Sequence, residues 1–120
     1  MNPQQQLPEG IPPAALAALT ADRDRGMTDT ERVALERLID IAKRDTGQSR
    51  RVADFLLAWW NASDCGSFDL TELWALDDAI TADMTTVFAF IARVSKYPDS
   101  LGYEADFKAI VRIWRPDLAE

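Results

Sequence analysis

The chain has no histidine, and its 120 residues include a single cysteine, Cys65. Without histidine, the commonest general base and the commonest transition-metal ligand are both missing. That excludes Ser/His/Asp and Cys/His nucleophiles and the usual zinc sites. One cysteine makes no internal disulfide, so folding needs no oxidising compartment. Nothing beside Cys65 in sequence would lower its thiol pKa, which makes a structural role the expectation. No GxGxxG or GxxxxGK[ST] pattern occurs, so no phosphate-cradling loop is visible. No apolar run approaches the roughly 18 residues of a membrane span. Residues 1–6 lack the basic and apolar regions of a signal peptide. The expectation is a cytoplasmic protein that does not engage membranes.

A further absence carries more information. Between Val52 and Ala92 there is no lysine or arginine, while seven acids fall there: Asp54, Asp64, Asp69, Glu72, Asp77, Asp78 and Asp83. Residues 1–51 hold eight acids and eight bases, and residues 93–120 hold five of each, so the net charge of −7 resides wholly in this stretch. Trp59, Trp60 and Trp74 lie in it too. Such a stretch repels phosphate backbones and attracts basic protein surfaces. It reads either as a solvated face that keeps the protein soluble or as a binding surface for a basic partner. Arg50-Arg51 and Arg112 with Arg115 admit a helix-turn-helix reading. Neither terminal region has a basic excess, however, so direct nucleic-acid binding is not expected.

The length suits one domain, and 48% apolar with 28% charged residues is the balance of a globular chain. Four of the six prolines fall in the first 13 residues beside a glutamine triplet. Residues 1–26 are therefore expected to be a flexible arm, with one or two helical turns at Pro13–Leu19, and residues 27–120 a single helical domain. Thr28-x-x-Glu31 is a capping box that opens a helix carrying Leu35, Leu38, Ile39 and Ala42 on one stripe. Ser49 to about Asn61 predicts a second helix, apolar on more than one stripe and so expected to be central. A loop at Asp64–Ser67 precedes a short helix, Leu70–Leu76, opened by Asp69-x-x-Glu72. A long helix from about Asp78 to Tyr97 places Ile80, Met84, Val87, Phe88, Ile91 and Val94 at helical spacing. The last helix runs from about Tyr103 to Trp114 and stops before Pro116. The prediction is an all-α fold, a compact bundle of about five helices.

Two constellations are candidates for function. Trp59 and Trp60 are adjacent on a helix and point roughly 100° apart, so one can anchor the core while the other faces an interface. Burial of both is the alternative. Asp69, Glu72, Asp77 and Asp78 could meet around a divalent cation, although their spacing does not match a calcium loop. Capping roles for Asp69 and for Asp77 or Asp78 explain most of them without a metal. No cofactor is expected.

Val52-Ala53-Asp54-Phe55-Leu56-Leu57-Ala58-Trp59-Trp60-Asn61-Ala62 is followed by Cys65-Gly66-x-Phe68-Asp69-Leu70. With Ile91-Ala92-Arg93, Tyr97-Pro98-Asp99, Leu101-Gly102-Tyr103 and Trp114-Arg115-Pro116, this pattern resembles a family of small uncharacterised proteobacterial proteins carried on plasmids and integrative elements. The resemblance covers about residues 48–118 and brings no catalytic residues. It implies a mobile-element setting, where small acidic proteins that disable host defence are common.

The leading expectation is a non-enzymatic protein-binding module. In its sharpest form it is an anti-CRISPR inhibitor that presents an acidic surface to a basic nucleic-acid-handling complex. Asp69, Glu72, Asp77, Asp78 and Asp83 would pair with the partner's bases, and Trp59 or Trp60 would anchor. The alternatives are a homo-oligomeric accessory protein of plasmid or integrative-element maintenance and, third, a carboxylate-metal enzyme.

Overall fold

The computed structural model describes residues 26–119, so the arm expected at residues 1–26 lies, all but Gly26, outside the described residues. Four α-helices follow in order: α1 (Asp29–Ala42), α2 (Gly47–Cys65), α3 (Asp78–Arg93) and α4 (Glu104–Trp114). Three 3-10 segments join or end them: η1 (Leu70–Ala75), η2 (Pro98–Leu101) and η3 (Pro116–Leu118). No strand occurs among the described residues, and the fold is all-α.

Both arms of the predicted capping box form. The Thr28 hydroxyl accepts from the Glu31 N–H, and the Glu31 carboxylate accepts from the Thr28 N–H. Each bond satisfies a donor that a helix start leaves open. Arg93, reaching from α3, then binds the same Glu31 carboxylate at 2.7 Å and the Gly26 carbonyl at 3.0 Å. The start of α1 is thereby tied to the end of α3.

Ala34, Leu35, Leu38, Ile39 and Ala42 of α1 are buried against Val52, Ala53, Leu56 and Leu57 of α2, Met84 and Val87 of α3, and Phe107 and Ile110 of α4. The hub is α1, which packs on all three other helices. The second apolar stripe of α2 (Phe55, Trp59, Trp60) is only half-buried, which is why α2 is not the central helix that its composition suggested.

Three boundaries differ from expectation. Helix α2 runs through Asp64 and Cys65, where a loop was predicted. Its chain departs from helical geometry at Asn61 (φ −162°, ψ 78°) and then resumes. The Asn61 side chain accepts from the Asp64 N–H at 3.2 Å and so caps a new final turn, as asparagine does at helix starts. The turn closes at Gly66, whose φ of 98° favours glycine. Helix α3 ends at Arg93 instead of Tyr97, because Val94 is already extended on the approach to Pro98. On α3, Phe90 is buried and Phe88 is 62% exposed, so Phe88 does not belong to the core stripe assigned to it. The third difference is the short helix before α3, which is 3-10 and buries no residue.

Candidate protein-binding surface

The η1 segment is short and carries little apolar anchorage of its own, yet it is held at several points. The Asp69 carboxylate accepts from the Thr71 N–H at 2.9 Å and from the Thr71 hydroxyl at 2.8 Å. These bonds, that to the backbone foremost, hold the Asp69 carboxyl below the usual carboxylate range. Glu72 is gripped by two arginines of α2, Arg51 at 3.0 Å and Arg50 at 3.3 Å. Leu73 packs against the core and Leu76 is buried within it. Beyond the segment, Gln48 closes a two-point clasp on Asp77: its amide N donates to the carboxylate at 3.1 Å, and its amide O accepts from the Asp77 N–H at 2.7 Å. Asp77 thus begins α3 without capping it through its side chain.

What this clamped segment holds outward is apolar. Trp74 is 86% exposed and Leu70 is 68% exposed. Asp69 and, just past η1, Asp77 and Asp78 stand exposed in the adjoining sequence. A large indole in water on a fixed support is the element of this surface most suited to anchor a partner, because little side-chain and loop entropy remains to be lost on binding.

The residues singled out from the sequence do not all gather here. Trp59 donates its indole N–H to the Lys96 carbonyl at 3.1 Å and lies edge-on to Phe90 and Phe107, with centroids 6.3 and 5.9 Å apart. Trp60 is edge-on to Phe107 at 5.8 Å. Both are half-buried caps of the core, so neither is the free anchor that adjacency suggested. Asp83 receives two hydrogen bonds from Arg37 of α1, at 2.9 and 2.8 Å, and its side chain is only 13% exposed. Glu72 is engaged as described. Asp69, Asp77 and Asp78 have no basic partner among the described residues, and they are what remains of the predicted acidic set.

The signal that was missed is Trp74. It shares a 3-10 segment with Leu73, which packs inward, and no helical stripe passes through it. A Trp off any apolar stripe between two acidic caps could have been read as exposed.

Of the two remaining acids of the stretch, Asp64 accepts from the Asn61 amide at 2.9 Å and Asp54 is taken by flanking arginines. Asp54 binds Arg50 at 2.8 Å and Arg115 at 2.7 Å. Arg115 also donates to the Cys65 carbonyl at 2.8 Å, fastening the end of α2 to the end of α4. No group of three or more metal-ligating side chains exists among the described residues. The four carboxylates considered for a cation are each used otherwise or left apart, Glu72 by two arginines and Asp77 by Gln48.

A cleft of about 590 Å³ opens where α2 kinks beside α4, with Trp60, Asn61, Asp64, Cys65 and Arg112 on its walls. Burial pushes the Cys65 thiol up from its ordinary value, which keeps it protonated and a poor nucleophile.

Fold and surface together define a small all-α domain with a clamped, exposed aromatic segment. Residues 32–115 match the family of unknown function DUF7673, and the chain belongs to that family. The match takes in α1 as well as the later helices. No curated protein and no solved structure matches the chain.

Proposed function

We propose that this protein is a non-enzymatic protein-binding module that docks a basic protein surface on the η1 segment. Trp74, exposed on a support fixed by Arg50, Arg51 and Gln48, carries the proposal. In this reading Trp74 and Leu70 supply the apolar anchor. Asp69, Asp77 and Asp78 supply charge that steers a basic partner. Of the residues first given binding roles, Glu72 instead fixes η1 to α2, while Trp59, Trp60 and Asp83 are engaged elsewhere in the fold, on Phe90, Phe107 and Arg37. The sharper form of the proposal is a cytoplasmic inhibitor encoded on a mobile element. It would seat this surface where a CRISPR effector or similar complex holds nucleic acid, with carboxylates in place of phosphates. Support for that form comes from the charge of the surface and from the setting that the resemblance implies.

The test is capture from lysate of a CRISPR-bearing host on wild-type protein and on the Leu70→Ala/Trp74→Ala double variant, washed at low and high salt. The expected result is a basic nucleic-acid-binding complex that wild type retains at low salt and loses at high salt, and that the variant never retains. Equal retention by both baits would remove η1 as the site. Reversing Asp78 to lysine, which leaves the Gln48–Asp77 clasp in place, is expected to slow association with the captured partner without unfolding the domain. A second reading, self-association in an element's maintenance system, is favoured by the uncharged outer face of α3.

A further inference from the structure

Arg112 and Trp60 both line the cleft beside the α2 kink, and neither the guanidinium nor the indole N–H has a hydrogen-bond partner among the described residues. The other half-buried tryptophans differ: Trp59 donates to the Lys96 carbonyl at 3.1 Å and Trp114 to the Ala42 carbonyl at 2.7 Å. A half-buried indole usually finds such an acceptor. Lys108 lines the cleft one turn before Arg112 on α4, so two bases share that wall. Lys108 pairs with Glu104 of its own helix at 3.1 Å, and both side chains are more than half exposed. Such a pair is weak and leaves the ammonium open to a second anion. On the α2 wall, Asp64 accepts from the Asn61 amide at 2.9 Å and pairs with neither base. Val111 and Leu118 add apolar surface. The volume of about 590 Å³ falls in the range of small-molecule sites, roughly 300–1,000 Å³. The walls are also fixed in place. Arg115 joins the end of α4 to the Cys65 carbonyl at 2.8 Å and to Asp54 at 2.7 Å, without drawing on Arg112.

We infer that this cleft binds a small organic acid, with its carboxylate on Arg112 and its apolar body against Trp60, Val111 and Leu118. The donors without partners are what select the ligand. A molecule that satisfies a guanidinium and an indole N–H must bring acceptors, and a carboxylate meets a guanidinium with two parallel hydrogen bonds. Lys108 adds charge of the same sign one turn away. A neutral apolar molecule would leave those donors unpaired and shielded from water, which is costly. A cation would face two bases against one acid that already holds an amide. An inorganic anion would satisfy the bases but leave the apolar wall in water. Because the ends of α2 and α4 are already joined, little ordering is needed when the site fills. This site is separate from the η1 surface and does not rest on the reading given to that surface.

The four tryptophans give four indole N–H signals in a nitrogen-15 NMR spectrum of the full chain, and these report on the site. 1-Naphthylacetate is the probe, with 1-naphthylacetamide as its uncharged counterpart and inorganic phosphate as an anion without an apolar body. The acid is expected to move the Trp60 signal in a saturable way, with a Kd of about 1 mM, while the Trp59 and Trp114 signals stay in place. The amide and phosphate are each expected to bind about 5-fold more weakly or worse. Arg112→Ala, at an exposed helical position, is expected to weaken the acid by about 5-fold or more with the Trp59 and Trp114 signals unchanged, and Lys108→Ala by about 2-fold. A Trp60 signal that does not respond to about 10 mM naphthylacetate overturns the inference. So does a response confined to Trp74, which would place the probe on η1. Equal binding of acid and amide, or an Arg112→Ala variant that binds as wild type does, removes the carboxylate contact. Equal binding of phosphate removes the apolar one, and either result overturns the assignment to an organic acid.

Discussion

Trp59 and Trp60 on one side and Trp74 on the other lie within sixteen residues of sequence, yet the fold uses them in opposite ways. The first pair sits on a 19-residue helix whose neighbours Leu56 and Leu57 are fully buried. Those rings have Phe107 and Phe90 to lie against. Trp74 sits on a six-residue 3-10 segment that is anchored by ion pairs, a clasp and Leu73, and its ring meets water. Whether a large aromatic is a structural or an interaction residue is therefore decided by what stands behind it. The difference yields expected effects that fall steadily in size from the first site to the second.

The largest is at Trp59. Trp59→Ala removes two edge-on aromatic contacts and leaves the Lys96 carbonyl without its donor, so a loss of about 3 kcal/mol is expected in urea denaturation. A loss below about 1 kcal/mol would mean that the pair is not integrated into the core and would narrow the contrast with Trp74.

The ion pairs come next. Asp54→Ala strands Arg115, whose guanidinium then keeps only backbone carbonyls, and leaves Arg50 with Glu72 alone; about 2 kcal/mol is expected. Asp78→Ala, on an exposed carboxylate with no such partner, is expected to change stability by less than about 0.5 kcal/mol. Measured together by thermal melts, the two variants separate carboxylates that hold the fold from those that only face outward.

That separation also explains what the sequence disclosed and what it hid. The capping box at Thr28 and Glu31, the stripe of α1 and the stop before Pro116 are local patterns, legible because each is completed within one or two turns of chain. The four α-helices and η1 were legible from patterns of this kind, while the 3-10 turns at Pro98–Leu101 and Pro116–Leu118 were not. Pairing of Asp83 with Arg37, or of Asp54 with Arg115, joins residues 46 and 61 positions apart, and no local pattern announces it. The acidic stretch was therefore visible as composition but not as a surface. Arginines from the two balanced ends of the chain fold over it and neutralise its inner members. The exposure of Trp74 was hidden for a related reason, since it depends on ion pairs and a glutamine clasp contributed by α2.

Tyr103 offers a smaller and more specific check on aromatics that belong to the fold. Burial, and then its hydrogen bond to Glu36 at 2.9 Å, push the phenol up to about 12. The folded chain thus favours the neutral phenol. Its contribution to stability is fully present below about pH 10 and is lost as pH rises through about 12. Solvent screening keeps that contribution to roughly 1 kcal/mol or less. Absorbance at about 295 nm should follow one phenol titrating near pH 12, and Glu36→Leu should bring that step down toward 10. An unmoved step would assign the shift to burial alone.

At Trp74 the expected effect on stability is the smallest of all. The ring is 86% exposed, so Trp74→Ala removes little burial and leaves no buried polar group unpaired. Unfolding should change by no more than about 0.5 kcal/mol. The spectrum should change all the same, because a water-exposed indole emits at longer wavelength than half-buried ones. Removing it should shift the remaining emission of Trp59, Trp60 and Trp114 to the blue. A variant that folds as well as wild type and has lost only its red-emitting tryptophan is the right control for binding experiments. If Trp74→Ala instead costs as much as Trp59→Ala, the ring is covered in solution, and the surface proposed for the partner is already occupied.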